Sequence, residues 1–247
     1  MSDGPDLSTV MGRYLEHEHG GELDEYYKPT VGEFHASTTG SCVRRLYYDF
    51  IDPEQPDDGA WKHFELGNRM ENIFEDALAT EYDDKYVVNR VPINIEINDW
   101  EIVGETDPVV IDDNLEVREL WEVKSTSNLS YVRSKPKWPH VCQLHCYAYG
   151  LDLINETDTR KIVYIDKTSL ETVTHEVSFE HGIWKHIVNK LDTVYAALMH
   201  GEPPDPAKEK HQDHFCPHDD KSVCCKNVDE QNADLTDSEF DRSEWGN

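Results

Sequence analysis

Apolar residues recur along the chain at two spacings, one typical of helices and the other of strands. Helical spacing predicts a helix from about His63 to Tyr82, another from about His140 to Leu151 and a last one from Trp184 to His200. Two earlier helices are predicted from Leu7 to His17 and from about Ser41 onwards. Gly and Pro residues separate these segments, as expected for loops.

Alternating apolar residues predict strands on both sides of the helix at 140–151. The predicted strands are Val91–Ile97, Trp100–Ile111, Leu115–Val123, Lys161–Asp166 and Thr172–Ser178. Pro92 suits the first residues of a strand better than its middle. Because consecutive strands joined by short turns usually pair, the first three are predicted to form a meander.

These elements together predict an α/β fold with a mixed, mainly antiparallel central sheet flanked by helices. A chain of 247 residues is long enough to bury a sizeable core. We expect a polar N-terminal segment at residues 1–30, a folded domain at 31–225 and an acidic, disordered tail at 226–247.

The charge balance is strongly acidic, with 23 basic and 51 acidic residues and a net charge of −28. Proteins that bind nucleic acid normally have a basic surface, so this balance argues against such a partner at ordinary salt. In a cell with molar internal salt the Debye length falls to about 3 Å, and acidic residues instead maintain solubility. Composition leaves open both a halophilic nucleic-acid-binding protein and an acidic protein that never contacts DNA.

The sequence indicates a protein without a membrane partner. No stretch approaches the roughly 18 apolar residues that a membrane helix needs. The first six residues have neither the positive charges nor the apolar run of a signal peptide. We therefore expect a soluble, cytoplasmic protein.

The strongest candidate for chemistry is a pair of carboxylates with a lysine. Side chains alternate along a strand, so Glu122 and Lys124 share one face while Trp121 and Val123 share the other. Asp107, on the predicted preceding strand, would complete the carboxylate pair. Two carboxylates, water and phosphate oxygens satisfy Mg²⁺ or Mn²⁺, and a neighbouring lysine can orient or deprotonate water. The alternative is a surface strand with an ordinary charge pair.

Three further polar residues fit the same chemistry. Glu71, within the helix at 63–82, could supply a third metal ligand, or could be a solvated helix carboxylate. Gln143 and Tyr147 lie four apart on a helix and therefore share a face. They could contact a phosphate or a base, or could form the polar stripe of an ordinary amphipathic helix.

The order of these motifs resembles the PD-(D/E)XK nucleases of the RecB-like exonuclease group. A helix carboxylate, Gly-x-x-Asp, Glu-x-Lys and Gln-x-x-x-Tyr follow one another, as in the CRISPR-associated exonucleases that carry an iron–sulfur cluster. The resemblance spans roughly Thr39 to Cys225. It implies that Asp107 and Glu122 bind metal and that Lys124 is catalytic. It also implies that Gln143 and Tyr147 belong to a supporting helix motif.

The chain departs from this family at Glu71, where many relatives have a histidine. Glutamate also binds hard cations, so a metal site remains possible, with less preference for softer ions.

The six cysteines fall into two groups. Cys142 and Cys146 lie four apart on a helix, where buried hydrophobic packing is the usual explanation. For the other four, metal binding is favoured over a disulfide framework, because no secretion signal is seen. The remaining alternative is that these cysteines bind nothing. They are Cys42, Cys216, Cys224 and Cys225.

The resemblance implies that these four cysteines hold a [4Fe–4S] cluster, with Cys42 as the early ligand and Cys216 and Cys224 among the late ones. The usual Cys-x-x-Cys start of the late group is absent, since Asp213 stands three residues before Cys216. Cys225 supplies the fourth thiol instead. A Zn²⁺ site using His214 or His218 is the competing interpretation.

Taken together, the sequence predicts a metal-dependent DNA nuclease. We expect an exonuclease on single-stranded or frayed DNA ends, working in recombination, repair or CRISPR adaptation with other proteins of those processes. The alternative is a non-catalytic nucleic-acid-binding or assembly subunit with a structural metal site. Arg44, Arg45, Tyr47 and Tyr48 could contact the backbone and stack on bases, or could pack within an ordinary helix.

Overall fold

A computed structural model describes Tyr14 and residues 29–53, 58–82 and 86–205. The predicted helix at Leu7–His17 lies outside the described residues apart from Tyr14, and so does the predicted tail at 226–247. The late cysteines, Cys216, Cys224 and Cys225, also lie outside them.

Four α-helices and eight strands make up the described part of the chain. The helices are α1 (Val43–Ile51), α2 (Asp58–Glu81), α3 (Trp138–Gly150) and α4 (His181–His200). The strands are β1 (Glu33–His35), β2 (Tyr86–Asn89), β3 (Pro92–Ile97), β4 (Trp100–Glu105), β5 (Val109–Asp112), β6 (Val117–Thr126), β7 (Thr159–Asp166) and β8 (Thr172–Glu176). Two short 3-10 helices lie at Ala36–Thr38 and Leu129–Tyr131.

The strands form two sheets. The larger has the order β2-β5-β6-β7-β8, in which only the β6–β7 pair is parallel. The smaller has the order β1-β4-β3. The predicted α/β class with a mixed, mainly antiparallel central sheet flanked by helices is confirmed, and the second sheet is an addition to it.

The prediction of one strand from Trp100 to Ile111 is wrong. The chain leaves the small sheet after β4 and enters the large sheet at β5, so these consecutive strands do not pair. Pro108 has no amide hydrogen to donate to a strand ladder. Just before it, Oγ1 of Thr106 accepts a hydrogen bond from the Val91 amide. Asp107 therefore lies in the crossing between the two sheets and not on a strand.

The two faces of the large sheet are covered differently. Helix α2 packs Met70 against Trp121 and Val123 on one face. The other face belongs to the main core, which also contains apolar residues of the small sheet, α3 and α4. Helix α3 is buried along most of its length, since all residues from 141 to 148 are buried.

A close backbone approach fixes the start of α3. A Cβ atom on Gly40 would lie 2.3 Å from Cα of Pro139, so only glycine fits at this position. Pro139 itself is tolerated because the first turn of a helix needs no amide donor there. This contact holds the start of α3 against the segment that precedes α1.

Within the described ranges, none of the helices combines the length and the apolar character that crossing a bilayer requires.

Candidate active site

Strand β6 brings Glu122 and Lys124 together, as the alternation of strand side chains predicts. Nζ of Lys124 lies 2.6 Å from Oε1 of Glu122. Glu122 is completely buried, whereas Lys124 is partly exposed. Trp121 and Val123 point the opposite way, into the core beneath α2. The charged pair therefore faces α3, and the apolar pair anchors the strand.

Asp107 reaches the same site from the crossing between the sheets. Its Oδ2 accepts a hydrogen bond of 2.6 Å from the backbone amide of Val123 and lies 3.8 Å from Nζ of Lys124. Only 7% of the residue is exposed. The bond to the Val123 amide ties the aspartate to the strand segment between Glu122 and Lys124, so the three charged groups form one unit.

The Glu122 carboxylate is buried without adequate polar partners. Oε1 is paired with Nζ of Lys124 at 2.6 Å, and Oε2 has no hydrogen-bond partner among the described residues. Burying a charge is costly unless it is paired and hydrogen-bonded. The pKa of Glu122 is raised to about 8, chiefly by burial. Asp107 and Glu71 also raise this pKa, and Lys124 lowers it.

Lys124 remains protonated in this environment. Burial disfavours its charge, but the carboxylates of Glu122 and Asp107 outweigh burial and raise the pKa of the ammonium group above its ordinary value. Of the two roles expected for this lysine, orienting water and neutralising charge fits better than removing a proton.

Glu71 on α2 adds a third carboxylate at the edge of the site. Burial raises its pKa to about 7, with Asp107 contributing and Lys124 and Arg90 opposing. Oε2 of Glu71 lies 3.7 Å from Nη1 of Arg90, which also forms an ion pair with Glu75. Glu71 is thus held to one side by Arg90.

The carboxylates of the site fit a hard divalent cation whose remaining ligands come from water or substrate. Over the described ranges, no three His, Cys, Asp or Glu side chains converge into a ready-made metal site. Mg²⁺ commonly binds one or two carboxylates and takes its other ligands from water and substrate phosphates. Asp107 and Oε2 of Glu122 match that requirement, and Glu71 is near enough to interact electrostatically with both carboxylates.

Gln143 and Tyr147 lie together on α3, as their spacing predicts. Nε2 of Gln143 donates a hydrogen bond of 2.7 Å to the Tyr147 hydroxyl, and both residues are buried. Burial raises the pKa of Tyr147, and Glu122 and Asp107 raise it further, so the hydroxyl lies in the field of both carboxylates. These residues form the inner wall of the site and not a solvent-facing polar stripe.

Sequence reasoning missed His140 and Tyr164. Tyr164 on β7 stands beside Lys124 in the sheet, and its hydroxyl lies 2.9 Å from Nδ1 of His140. Burial lowers the pKa of His140, and Lys124 and Lys137 lower it further. The available signal was spacing, because His140 precedes Gln143 by three residues and Tyr147 by seven, on one face of α3.

The described cysteines have distinct surroundings. Cys142 and Cys146 are fully buried in the core. Cys42 is half-buried and is the N-cap of α1, where its sulfur accepts a hydrogen bond of 3.4 Å from the Arg45 amide. Nearby, Tyr47 is also part of the core, and Nε of Arg44 donates to the Pro204 carbonyl.

The fold is similar to those of several solved structures. The crystal structure of the protein SSO0001 matches with a TM-score of 0.50 and 16% identity, covering 81% of this chain and 90% of that one. An alkaline exonuclease from Laribacter hongkongensis, LHK-Exo, matches with a TM-score of 0.50 and 15% identity, covering 72% and 93%. The same exonuclease in complex with dAMP matches at 14% identity with equal coverage and TM-score.

No protein-family model and no curated protein sequence matches this chain. At identities of 14–16%, the likeness to solved structures shows the fold alone. The mixed α/β architecture is therefore one that an alkaline exonuclease also has.

The raised pKa of Glu122 predicts a stability that depends on pH in the metal-free protein. The folded-state pKa of about 8 exceeds the ordinary value of 4.5, so this group's contribution is fully present below about pH 4.5. It is lost as the pH rises towards about 8, at up to about 1.4 kcal/mol per pH unit. Denaturant unfolding should show Glu122→Gln gaining stability relative to wild type over this range.

The matched control is Glu119→Gln, which alters a carboxylate on the same strand that pairs with Lys161 at 3.1 Å, outside the site. Its difference from wild type should stay nearly constant with pH. A difference for Glu122→Gln that does not grow with pH would contradict the account of a buried, poorly compensated carboxylate.

Proposed function

We propose that the protein is a metal-dependent DNA nuclease that hydrolyses phosphodiester bonds. The observation that supports this most directly is the completely buried Glu122 carboxylate, which pairs with Lys124 through Oε1 and whose Oε2 has no partner among the described residues, with Asp107 on the same lysine. Two buried carboxylates beside one lysine leave negative charge that a divalent cation would compensate. The fold shared with an alkaline exonuclease supports the same proposal.

Asp107 and Glu122 would hold Mg²⁺ or Mn²⁺, with Glu71 as a third ligand once it is released from Arg90. When bound, such an ion lowers the pKa of water and stabilises the negative charge that develops on the phosphate. Water is the nucleophile, so no covalent link between enzyme and DNA is expected. The cation would also offset the burial cost of the Glu122 charge.

The remaining side chains of the site would position the water and the phosphate and would neutralise negative charge. The ammonium group of Lys124 would donate hydrogen bonds to the attacking water or to a phosphate oxygen, where it offsets developing charge. Gln143 and Tyr147 are locked to each other by the 2.7 Å hydrogen bond, so their polar atoms are fixed before substrate arrives. Fixed groups need no reorganisation during the reaction, which is the main source of electrostatic catalysis.

The substrate is proposed to be single-stranded or frayed DNA ends, cleaved by exonuclease action. The exonuclease part of the proposal is supported by the fold shared with an alkaline exonuclease, which is also known in complex with dAMP. A cytoplasmic role in recombination, repair or CRISPR adaptation, with other proteins of those processes as partners, extends the proposal. Molar internal salt would reconcile a net charge of −28 with a DNA substrate.

Activity should depend on the carboxylate pair. Asp107→Ala and Glu122→Gln should each lower cleavage of end-labelled single-stranded DNA, assayed with Mn²⁺ in high salt, by at least about 100-fold. Glu119→Gln on the same strand should keep wild-type activity. If wild type and Asp107→Ala are equally inert while both bind DNA, the protein is instead a non-catalytic binding or assembly subunit.

A [4Fe–4S] cluster held by Cys42, Cys216, Cys224 and Cys225 is proposed as a second cofactor. Cys42 is half-buried and is the N-cap of α1. The hydrogen bond of 2.9 Å between Arg44 and the Pro204 carbonyl brings the end of the described chain beside α1. Cys216 follows Pro204 by twelve residues, a length that can return to Cys42.

Anaerobically purified protein should show the broad visible absorption of an iron–thiolate cluster. Cys42→Ala should abolish that absorption, whereas Cys142→Ala should retain it, because Cys142 lies in the core. A colourless protein that contains stoichiometric zinc would contradict the cluster and support the zinc site with His214 or His218.

A further inference from the structure

The segment that follows Glu122 is free of acidic residues. Residues 123–151 contain no Asp or Glu, although about six would be expected at the average acid content of this chain. The same 29 residues carry four basic side chains, Lys124, Arg133, Lys135 and Lys137. In a protein with a net charge of −28, this is a local reversal of charge that includes the proposed catalytic lysine.

The loop between β6 and α3 presents this charge to solvent on a rigid base. Leu129, Val132 and Trp138 are buried and anchor the loop in the core. The Val132 carbonyl is also hydrogen-bonded to Nε2 of His175 on β8, at 2.7 Å. Between these anchors Tyr131 is 78% exposed.

The basic side chains of the loop are available to a ligand. Arg133, Lys135 and Lys137 are exposed, and none of the three forms an ion pair within the described part of the chain. By contrast, Arg90 and Arg118 each contact carboxylates. Cations without counter-ions beside an exposed aromatic ring are typical of surfaces that track a single strand.

The loop ends at the catalytic centre. The Lys137 amide donates a hydrogen bond of 2.9 Å to the Tyr164 hydroxyl, and Tyr164 stands beside Lys124 in the sheet. Lys137 and Lys124 both act electrostatically on His140, so the exposed cations of the loop continue into the site.

We propose that Tyr131, Arg133, Lys135 and Lys137 form the surface that guides a DNA single strand into the site. The inference deepens the nuclease function proposed above and rests on it. Tyr131 stacks on an unpaired base, and the three cations contact backbone phosphates. A base inside a duplex has both faces covered by its neighbours, so stacking on Tyr131 selects single strands. The α1 residues Arg44, Arg45 and Tyr47 are instead committed to contacts within the fold.

The test measures the binding of full-length protein to a fluorescein-labelled oligothymidylate of about 15 nucleotides by anisotropy, with EDTA to prevent turnover. Tyr131→Ala should weaken binding about 10-fold, both at about 0.2 M and at about 2 M KCl, since stacking is not ionic. Tyr131→Phe keeps the ring and should bind like wild type.

The contribution of the loop cations is tested by the salt dependence of DNA binding. Arg133→Gln/Lys135→Gln should lower the slope of log Kd against log salt by about 1.4, the value for two single-strand phosphates. The matched control is Lys62→Gln/Lys185→Gln, which removes two exposed cations elsewhere and should leave the slope unchanged.

Wild-type binding by both Tyr131→Ala and the loop double variant would overturn the proposal, as would an equal loss in the control. Equal competition by a duplex of the same sequence would also overturn it. Because binding is measured without metal, the outcomes are separable from catalysis. Loop-dependent binding in a protein that does not cleave DNA would refute the nuclease and keep this surface, whereas cleavage without loop dependence would do the opposite.

Discussion

The buried Glu122 carboxylate is the constraint on which the site depends. A fully buried acid destabilises the fold unless a cation or a proton compensates its charge. Lys124 compensates only in part, since Glu122 still has a pKa of about 8. The surrounding apolar layers hold this strained arrangement in place, because Trp121 and Val123 fix β6 from the opposite face. A buried carboxylate at this position is physically reasonable if a bound divalent cation compensates its charge.

The two-sheet architecture places Asp107 beside Lys124 and the buried Glu122. If β4 and β5 formed one continuous strand, the side chain of Asp107 would be fixed by strand alternation and its amide would be committed to a ladder. The crossing at residues 106–108 frees Asp107 to bond the Val123 amide and face Lys124. Helix α3, held against Gly40 at its first turn, closes the site with Gln143 and Tyr147. The acid-free loop between β6 and α3 ends at Lys137, whose amide bonds the Tyr164 hydroxyl beside Lys124.

The sequence predicted the parts that depend on local periodicity and not those that depend on long-range pairing. Alternation on β6 correctly placed Glu122 with Lys124, and helical spacing correctly joined Gln143 to Tyr147. The break at Asp107 was missed because apolar residues continue on both sides of it, in strands that belong to different sheets. Tyr164 was missed because a parallel β6–β7 pairing, which joins strands far apart in sequence, brings it beside Lys124. His140 was missed although it shares a face of α3 with Gln143 and Tyr147, because its partner is Tyr164. The late cysteines lie outside the described residues, so the ligand set of the proposed cluster stays a prediction.

The most direct test of the account is to locate a cation in crystals soaked with Mn²⁺, using the anomalous signal of manganese. The account predicts one ion within about 2.0–2.3 Å of carboxylate oxygens of both Asp107 and Glu122, with Lys124 displaced from its contact with Glu122. Manganese bound only to surface carboxylates, with Glu122 still against Lys124, would contradict it.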